Sequence, residues 1–234
     1  MESRVVNVVS IVAGALIVAW ILNDIFKAVL VPRAVDAQFR ISVLESRLLW
    51  RVWRSIGSSM RPGSRREDFL GSYAPFAFIV LILLWLLGLI FGYGLVLYGL
   101  QDQLRPASTG FGTSLYFAAT SVLTIGYGDV VATEGPARIV ALAAGASGLG
   151  TVAITIAFLY ALVGAFQQRE RFVVFLDSRA GAPPSGLALL ETYATLGLLE
   201  SLPELFAASE FWVADMLGSH LAYPLLMFLS LIHI

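Results

Sequence analysis

The sequence predicts an all-α membrane protein: an outer spanning helix, a re-entrant helix and loop, an inner spanning helix, one further N-terminal transmembrane helix and a small helical cytoplasmic tail. Three observations carry that expectation. Of 234 residues, 58% are hydrophobic and only 13% are charged, where soluble domains sit near about 45–50% and 25%; a mean hydropathy of +0.83 agrees. Three stretches with few or no charges each reach the roughly 20 residues that cross a hydrocarbon layer. Charge is also segregated, at +4 over residues 32–75, −2 over 100–135 and −5 over 172–234 within a total of −1. There is no cysteine, which excludes disulfides and thiolate metal sites.

The first stretch, Val5–Leu22, is interrupted only by Asn7 and Ser10 and continues weakly to Val31. No small-residue cleavage site closes it, so a retained transmembrane helix over 1–31 is expected rather than a cleaved leader. Asn23, Asp24 and Lys27 fall near its far end, where polar groups reach the headgroups, and an interfacial place is expected for Asp24 and Lys27. Residues 32–75 hold eight arginines, 100–135 hold only Arg105, and Arg169 and Arg171 follow the third stretch. The positive-inside rule therefore places 32–75 and everything after 167 in the cytoplasm, with 100–135 and the N-terminus outside. Within the linker, Asp36–Arg54 sets Arg40, Arg47, Arg51 and Arg54 among Phe39, Ile41, Leu44, Leu48, Trp50, Val52 and Trp53. A basic amphipathic helix with tryptophans is expected to lie on the inner surface of the bilayer, against anionic lipids. Pro62-Gly63-Ser64 breaks it. The second stretch, Leu70–Leu100, is uncharged and densest over Phe76–Tyr98, and the third, Ile139–Phe166, is uncharged too.

About 35 residues separate the second and third stretches, more than a minimal connection needs. Their middle, Phe111–Leu123, is apolar and rich in small residues, too short to span and suited to a re-entrant helix with Thr113 or Ser114 as its N-cap. Directly after it comes Thr124-Ile125-Gly126-Tyr127-Gly128-Asp129. Glycine enters left-handed regions of φ/ψ space at little cost, so Gly126 and Gly128 alternating with Ile125 and Tyr127 allow successive carbonyls to face one axis. Non-helical backbone at membrane depth is tolerated only where protein buries it or water reaches it.

That string between two spanning helices resembles the signature of potassium channels, usually Thr-Val-Gly-Tyr-Gly followed by aspartate, with Ile125 in the valine's place. The resemblance covers Phe76–Phe166 in organisation: outer helix, pore helix, filter, inner helix. It implies a potassium-selective ion channel in which the carbonyls of Thr124, Ile125, Gly126 and Tyr127 bind potassium, the Thr124 hydroxyl completes the innermost site, and Gly128 ends the filter. Asp129 would stand at the outer mouth. Ile125 and Tyr127 would turn away from the pore, against Tyr116 and Phe117. One chain supplies one loop where a ring needs four, which implies a homotetramer. In several bacterial relatives an acid linked with inactivation stands four residues before the filter threonine; here that position is Thr120. Relatives often carry tryptophans where Tyr116 and Phe117 stand, and Phe117 offers no hydrogen bond to the Tyr127 hydroxyl.

The inner helix holds Gly145, Gly148 and Gly150. The resemblance suggests a gating hinge, which Gly148 fits best, while small residues also serve close helix packing in membranes. Nearer the cytoplasm, Ala157, Phe158, Ala161, Leu162 and Ala165 lie on overlapping faces, where a hydrophobic constriction can gate by dewetting. The chain then divides into an N-terminal transmembrane helix at 1–31, a basic linker at 32–75, a pore domain at 76–168 and an acidic helical region at 169–228. That region is expected to form helices over roughly 187–200, 203–218 and 220–228 after the Pro183-Pro184-Ser185-Gly186 breaker. His220 is expected to cap or pack. Residues 229–234 look like translated sequencing-adapter read-through. No nucleophile–base pair, HExxH or P-loop points to an enzyme, and no nucleic acid, small-molecule substrate or cofactor is expected beyond potassium as the permeant ion. The expected location is the bacterial plasma (inner) membrane. A non-conducting or regulatory homologue and a potassium-uptake pore subunit are the alternatives.

Overall fold

A computed structural model describes residues 2–29, 41–106, 110–181 and 185–222. The expectations for residues 31–40, for Pro183-Pro184 and for residues 223–234 lie outside the described residues. The fold is that of an all-α membrane protein, with three helical stretches long and apolar enough to cross a bilayer, Arg4–Val29, Arg65–Gly99 and Gly135–Ala180. The chain divides into two compact units, Met1–Ala157 and Phe158–Ile234.

The first unit is built on α1 (Glu2–Val29) and α4 (Tyr73–Gly99), which run antiparallel along a glycine seam. A Cβ added at Gly88 would lie 2.6 Å from Ile21, one at Gly92 2.8 Å from Val18, and one at Gly99 2.6 Å from the Asn7 carbonyl. Lipid tails are as apolar as leucine, so helices in a bilayer associate through such close backbone approach rather than by escaping water. Val18, Ile21 and Ile25 of α1 and Leu81, Trp85 and Leu89 of α4 form the shared core.

Asp24 is buried in the protein rather than open to headgroups. It is 2% exposed, and its carboxylate accepts from the Trp85 indole at 2.8 Å and from the backbone N–H and hydroxyl of Ser42, both at 3.3 Å. A carboxylate withdrawn from water must find donors, and the indole and Ser42 supply them. Ser42 opens α2 (Ile41–Ser58), whose last turn lies beyond the expected end at Arg54. A short helix, α3 (Ser64–Gly71), follows Gly63 and leads into α4. The linker tryptophans face the protein rather than a membrane surface. Trp53 stacks on Phe69 and Phe76 at 4.5 and 4.8 Å, and Trp50 meets Tyr73 edge-on at 4.9 Å. Leu44, Leu48, Val52 and Ile56 are exposed instead, one turn apart along α2, with exposed Arg47, Arg51 and Arg54 beside them.

Past α4, the strand β1 (Leu104–Arg105) pairs antiparallel with β2 (Val131–Ala132), Leu104 opposite Ala132, and between them lies α5 (Phe111–Val122). The last helix of this unit, α6 (Gly135–Ala180), continues into the second unit. It does not stop near Phe166, because Gln167-Gln168-Arg169-Glu170-Arg171 end the apolar run yet are good helix formers.

In the second unit, α7 (Gly186–Thr195) is capped by Ser185, whose hydroxyl accepts from the Ala188 N–H at 3.0 Å, and α8 runs over Leu202–Ala222. Pro203 sits in the first turn of α8, where its missing N–H has no partner to lose. The expected break before residue 220 is absent, since Gly218 lies within α8. The Arg179 guanidinium lies 4.5 Å from the Phe175 ring and donates to the Tyr193 hydroxyl at 2.6 Å, while Phe172 stacks on Trp212 at 5.2 Å.

Candidate functional site

The loop after α5 is positioned by α4 beneath it. Gly94 of α4 makes room for α5, since a Cβ there would come within 3.2 Å of the Leu115 Cα, and Phe111 fits edge-on between Phe91 and Tyr98 at 5.8 Å from each. Ser114, Ala118 and Val122 are buried. The expected N-caps Thr113 and Ser114 are inside the helix; Gly110 caps it without a side-chain bond, as the apolar Phe111 already seats in the first turn.

At the other end the chain leaves the helix through three bonds to its last turn. The Thr124 N–H donates to the Ser121 carbonyl at 3.0 Å, and the Ile125 and Gly126 N–H groups both donate to the Thr120 carbonyl, at 2.8 and 3.3 Å. Positive φ then recurs at every second residue: Thr124 at 54°, Gly126 at 61° and Gly128 at 80°. The two glycines have no atom within 4 Å of where a Cβ would stand, so backbone conformation, and not crowding within the chain, calls for glycine there. Thr124 adopts this region despite its β-branch, a feature the glycine pattern alone does not reveal.

The side chains expected to support the loop are placed as follows. The Tyr116 hydroxyl hydrogen-bonds the Asp129 carboxylate. The Thr120 hydroxyl turns back to the Phe117 carbonyl at 3.1 Å, so Thr120 meets the loop through its backbone alone. Ile125 and Tyr127 remain 48% and 70% exposed, and the single chain does not bury them. An open cleft of about 560 Å³ beside the loop is lined by Thr120 and Ser121, by Gly126 and Gly128, and by Arg138 and Leu142 of α6.

The return from the loop is fixed by Gln103. Its carbonyl accepts from the N–H and hydroxyl of Thr133, both at 2.9 Å, and its side-chain oxygen accepts from the Ala137 N–H at 3.0 Å, satisfying a free donor in the first turn of α6. Further along, α6 is tied to α4 by Tyr93, whose hydroxyl shares a 2.7 Å hydrogen bond with Ser147 and donates to the Ala143 carbonyl at 3.2 Å. Gly148 lies against the end of α5, and a Cβ there would overlap the Val122 carbonyl. Gly145 is only in ordinary contact with the Ser121 carbonyl, and Gly150 has open space around it.

Three apolar spans with a short helix and loop between the second and third define a polytopic α-helical membrane protein. Residues 77–164, from α4 through the loop into α6, match the family model described as ion channel, and this stretch is what supports an ion-channel domain. No curated protein and no solved structure matches the chain.

Proposed function

We propose that the protein is a potassium-selective channel in which four copies surround one pore, each contributing Thr124–Gly128. The observation that carries this reading is the alternation of positive φ at Thr124, Gly126 and Gly128. In an extended strand successive carbonyls point to opposite sides; reversing the sign of φ at every second residue turns them toward the same side. Four such loops would stack the carbonyls of Thr124, Ile125, Gly126 and Tyr127 into oxygen rings that replace an ion's hydration shell, with the Thr124 hydroxyl below them. Asp129, held by Tyr116, adds negative charge at the outer mouth. The C-terminal end of α5 aims a partial negative charge at the same axis.

Conduction is passive and no bond is made or broken. Gly148 also serves contact between α6 and α5, and it stands with Gly145 and Gly150 as the candidate hinge. The orientation is N-terminus outside and C-terminus cytoplasmic, in a bacterial plasma membrane. On the inner surface α2 lays Leu44, Leu48, Val52 and Ile56 into the acyl boundary and sets Arg47, Arg51 and Arg54 toward anionic headgroups. Potassium and sodium flux in reconstituted vesicles tests the reading. Potassium flux well above sodium flux, abolished by Gly126→Ala, is expected; equal flux of the two ions, or flux unchanged by the substitution, overturns it.

A further inference from the structure

Glu45 occupies a place in the fold that conduction does not use. It lies on the inner face of α2, 8% exposed, and its Oε1 is buried without a hydrogen-bond partner. One turn earlier Ser42 binds Asp24 of α1, and the next residue, Ser46, receives the Tyr73 hydroxyl of α4 through its carbonyl at 2.7 Å. Glu45 therefore sits at the junction where α2 is fastened to both helices. A buried carboxylate normally finds a cation or a set of donors, and among the described residues Oε1 has neither.

Among the described residues, the charged and titratable groups on each neighbouring element are accounted for. Asp24 on α1 already accepts from Trp85 and Ser42 and offers Glu45 no cation. Lys27 lies one turn further along α1 and, among the described residues, has no ion pair to Glu45. Tyr73 on α4 is near enough to feel the carboxyl, but its proton is given to Ser46. Arg65, Arg66, Glu67 and Asp68 belong to α3, which meets the opposite end of α2, Leu70 against Gly57 and Phe69 against Trp53. On α2 itself, Arg47, Arg51 and Arg54 are exposed.

We propose that Glu45 is a proton-binding latch: with a proton on its carboxyl, α2 seats on α1 and α4, and loss of that proton drives α2 from the seat. The link from latch to conduction rests on the channel reading above; the latch itself does not. Burial alone raises the Glu45 carboxyl from 4.5 to about 7 in the seated form. The affinity for the proton is thus higher seated than released, so seating is strongest below the ordinary value near 4.5 and weakens as pH rises through 7. From those two values, the seating equilibrium falls about tenfold between pH 6 and pH 8. Released from α1 and α4, α2 (18 residues) loses the tertiary packing from which most helical stability comes, and its amides lose protection.

The test uses the full chain in lipid nanodiscs. Hydrogen exchange of residues 41–58, corrected for intrinsic rates, is compared at pH 6 and pH 8, beside potassium flux in vesicles at the same pH values. Wild-type protection is expected to drop about tenfold, and flux to change over the same interval. Glu45→Gln, which mimics the protonated side chain, and Glu45→Met, which fills the space without any titratable group, are expected to hold the pH 6 behaviour at both values. Protection that ignores pH in the wild type, or falls equally in both variants, overturns the latch. Flux that ignores pH while protection moves overturns its coupling to conduction. No flux at any pH, with protection still shifting, leaves the latch standing and removes the channel reading.

Discussion

Two glycines three positions from one another, Gly148 of α6 and Gly145 before it, and a third at Gly150, look alike in the sequence and differ in what surrounds them. Gly148 has the Val122 carbonyl where a Cβ would be, while Gly150 has nothing within 4 Å. Overpacking against backbone forces the two elements apart and typically lowers stability by about 1–3 kcal/mol. Gly148→Ala is therefore expected to lower the thermal midpoint of the detergent-solubilised protein, and Gly150→Ala to leave it within error while altering open probability if α6 bends there. Equal midpoints for the two variants would leave Gly148 with the hinge role alone. The same scale holds a second contrast at Asp24. Its buried carboxylate depends on the Trp85 indole for its shortest bond, so Trp85→Phe keeps most of the ring volume and removes one donor. Leaving a buried charged acceptor short of a partner costs about 1.5–3 kcal/mol. Asp24→Asn, which keeps an acceptor and removes the charge, is expected to cost less, and unfolding of the pair of variants by denaturant measures the difference. That Asp24 is buried could not be read from residues 20–29, since an acid near the end of an apolar run has the same local pattern whether lipid headgroups or Trp85 meet it.

At the scale of elements, the three spans were legible because length and uncharged composition suffice to identify them, and α5 with its loop was legible because a short apolar run followed by alternating glycines has few other uses. The partnership of α1 with α4 was not. Gly88-x-x-x-Gly92 is a close-approach pattern, but nothing in it names which helix approaches, and Gly14, Val18 and Ile21 acquire meaning only once the two helices are set antiparallel. Which face of α2 turns outward is not legible in the sequence for a related reason. Tryptophan suits a membrane surface, but Trp50 and Trp53 find aromatic partners in Tyr73, Phe69 and Phe76, and the aliphatic residues are left outward. The seam can be tested because the chain has no native cysteine. In Val18→Cys/Gly92→Cys the two Cβ atoms fall within the few ångströms a disulfide needs, since a Cβ at Gly92 already lies 2.8 Å from the Val18 Cγ2. Oxidation is expected to link α1 to α4 in most chains, and adding Gly88→Leu, which drives a larger side chain into Ile21, is expected to reduce the yield several-fold. A yield indifferent to Gly88→Leu would mean that the seam does not hold these helices together.

For the whole molecule, the decisive feature is what a single chain leaves open. Ile125 is 48% exposed, Tyr127 is 70% exposed, and the cleft beside them has Gly126 and Gly128 for one wall. The loop between them is non-helical backbone flanked by helices long enough to cross a bilayer, and such backbone cannot face lipid. Protein or water must therefore meet it, and on the proposed reading a second copy, whose own loop presents the same two apolar side chains, is a covering partner that also repeats the need. Repetition of a head-to-tail contact ends only when the ring closes. On the proposed reading four loops would close around an axis at which the carbonyls of Thr124 to Tyr127 meet a dehydrated ion, so that closure and conduction would share one number. Brief cross-linking in native-like lipid should then give a ladder that stops at four. Tyr127→Ala, which removes the most exposed ring at this contact but leaves the α1–α4 core untouched, should shift the distribution toward monomer and dimer at equal protein concentration. A wild-type chain that runs as a monomer under those conditions would leave the loop uncovered, and with it the oxygen rings unbuilt.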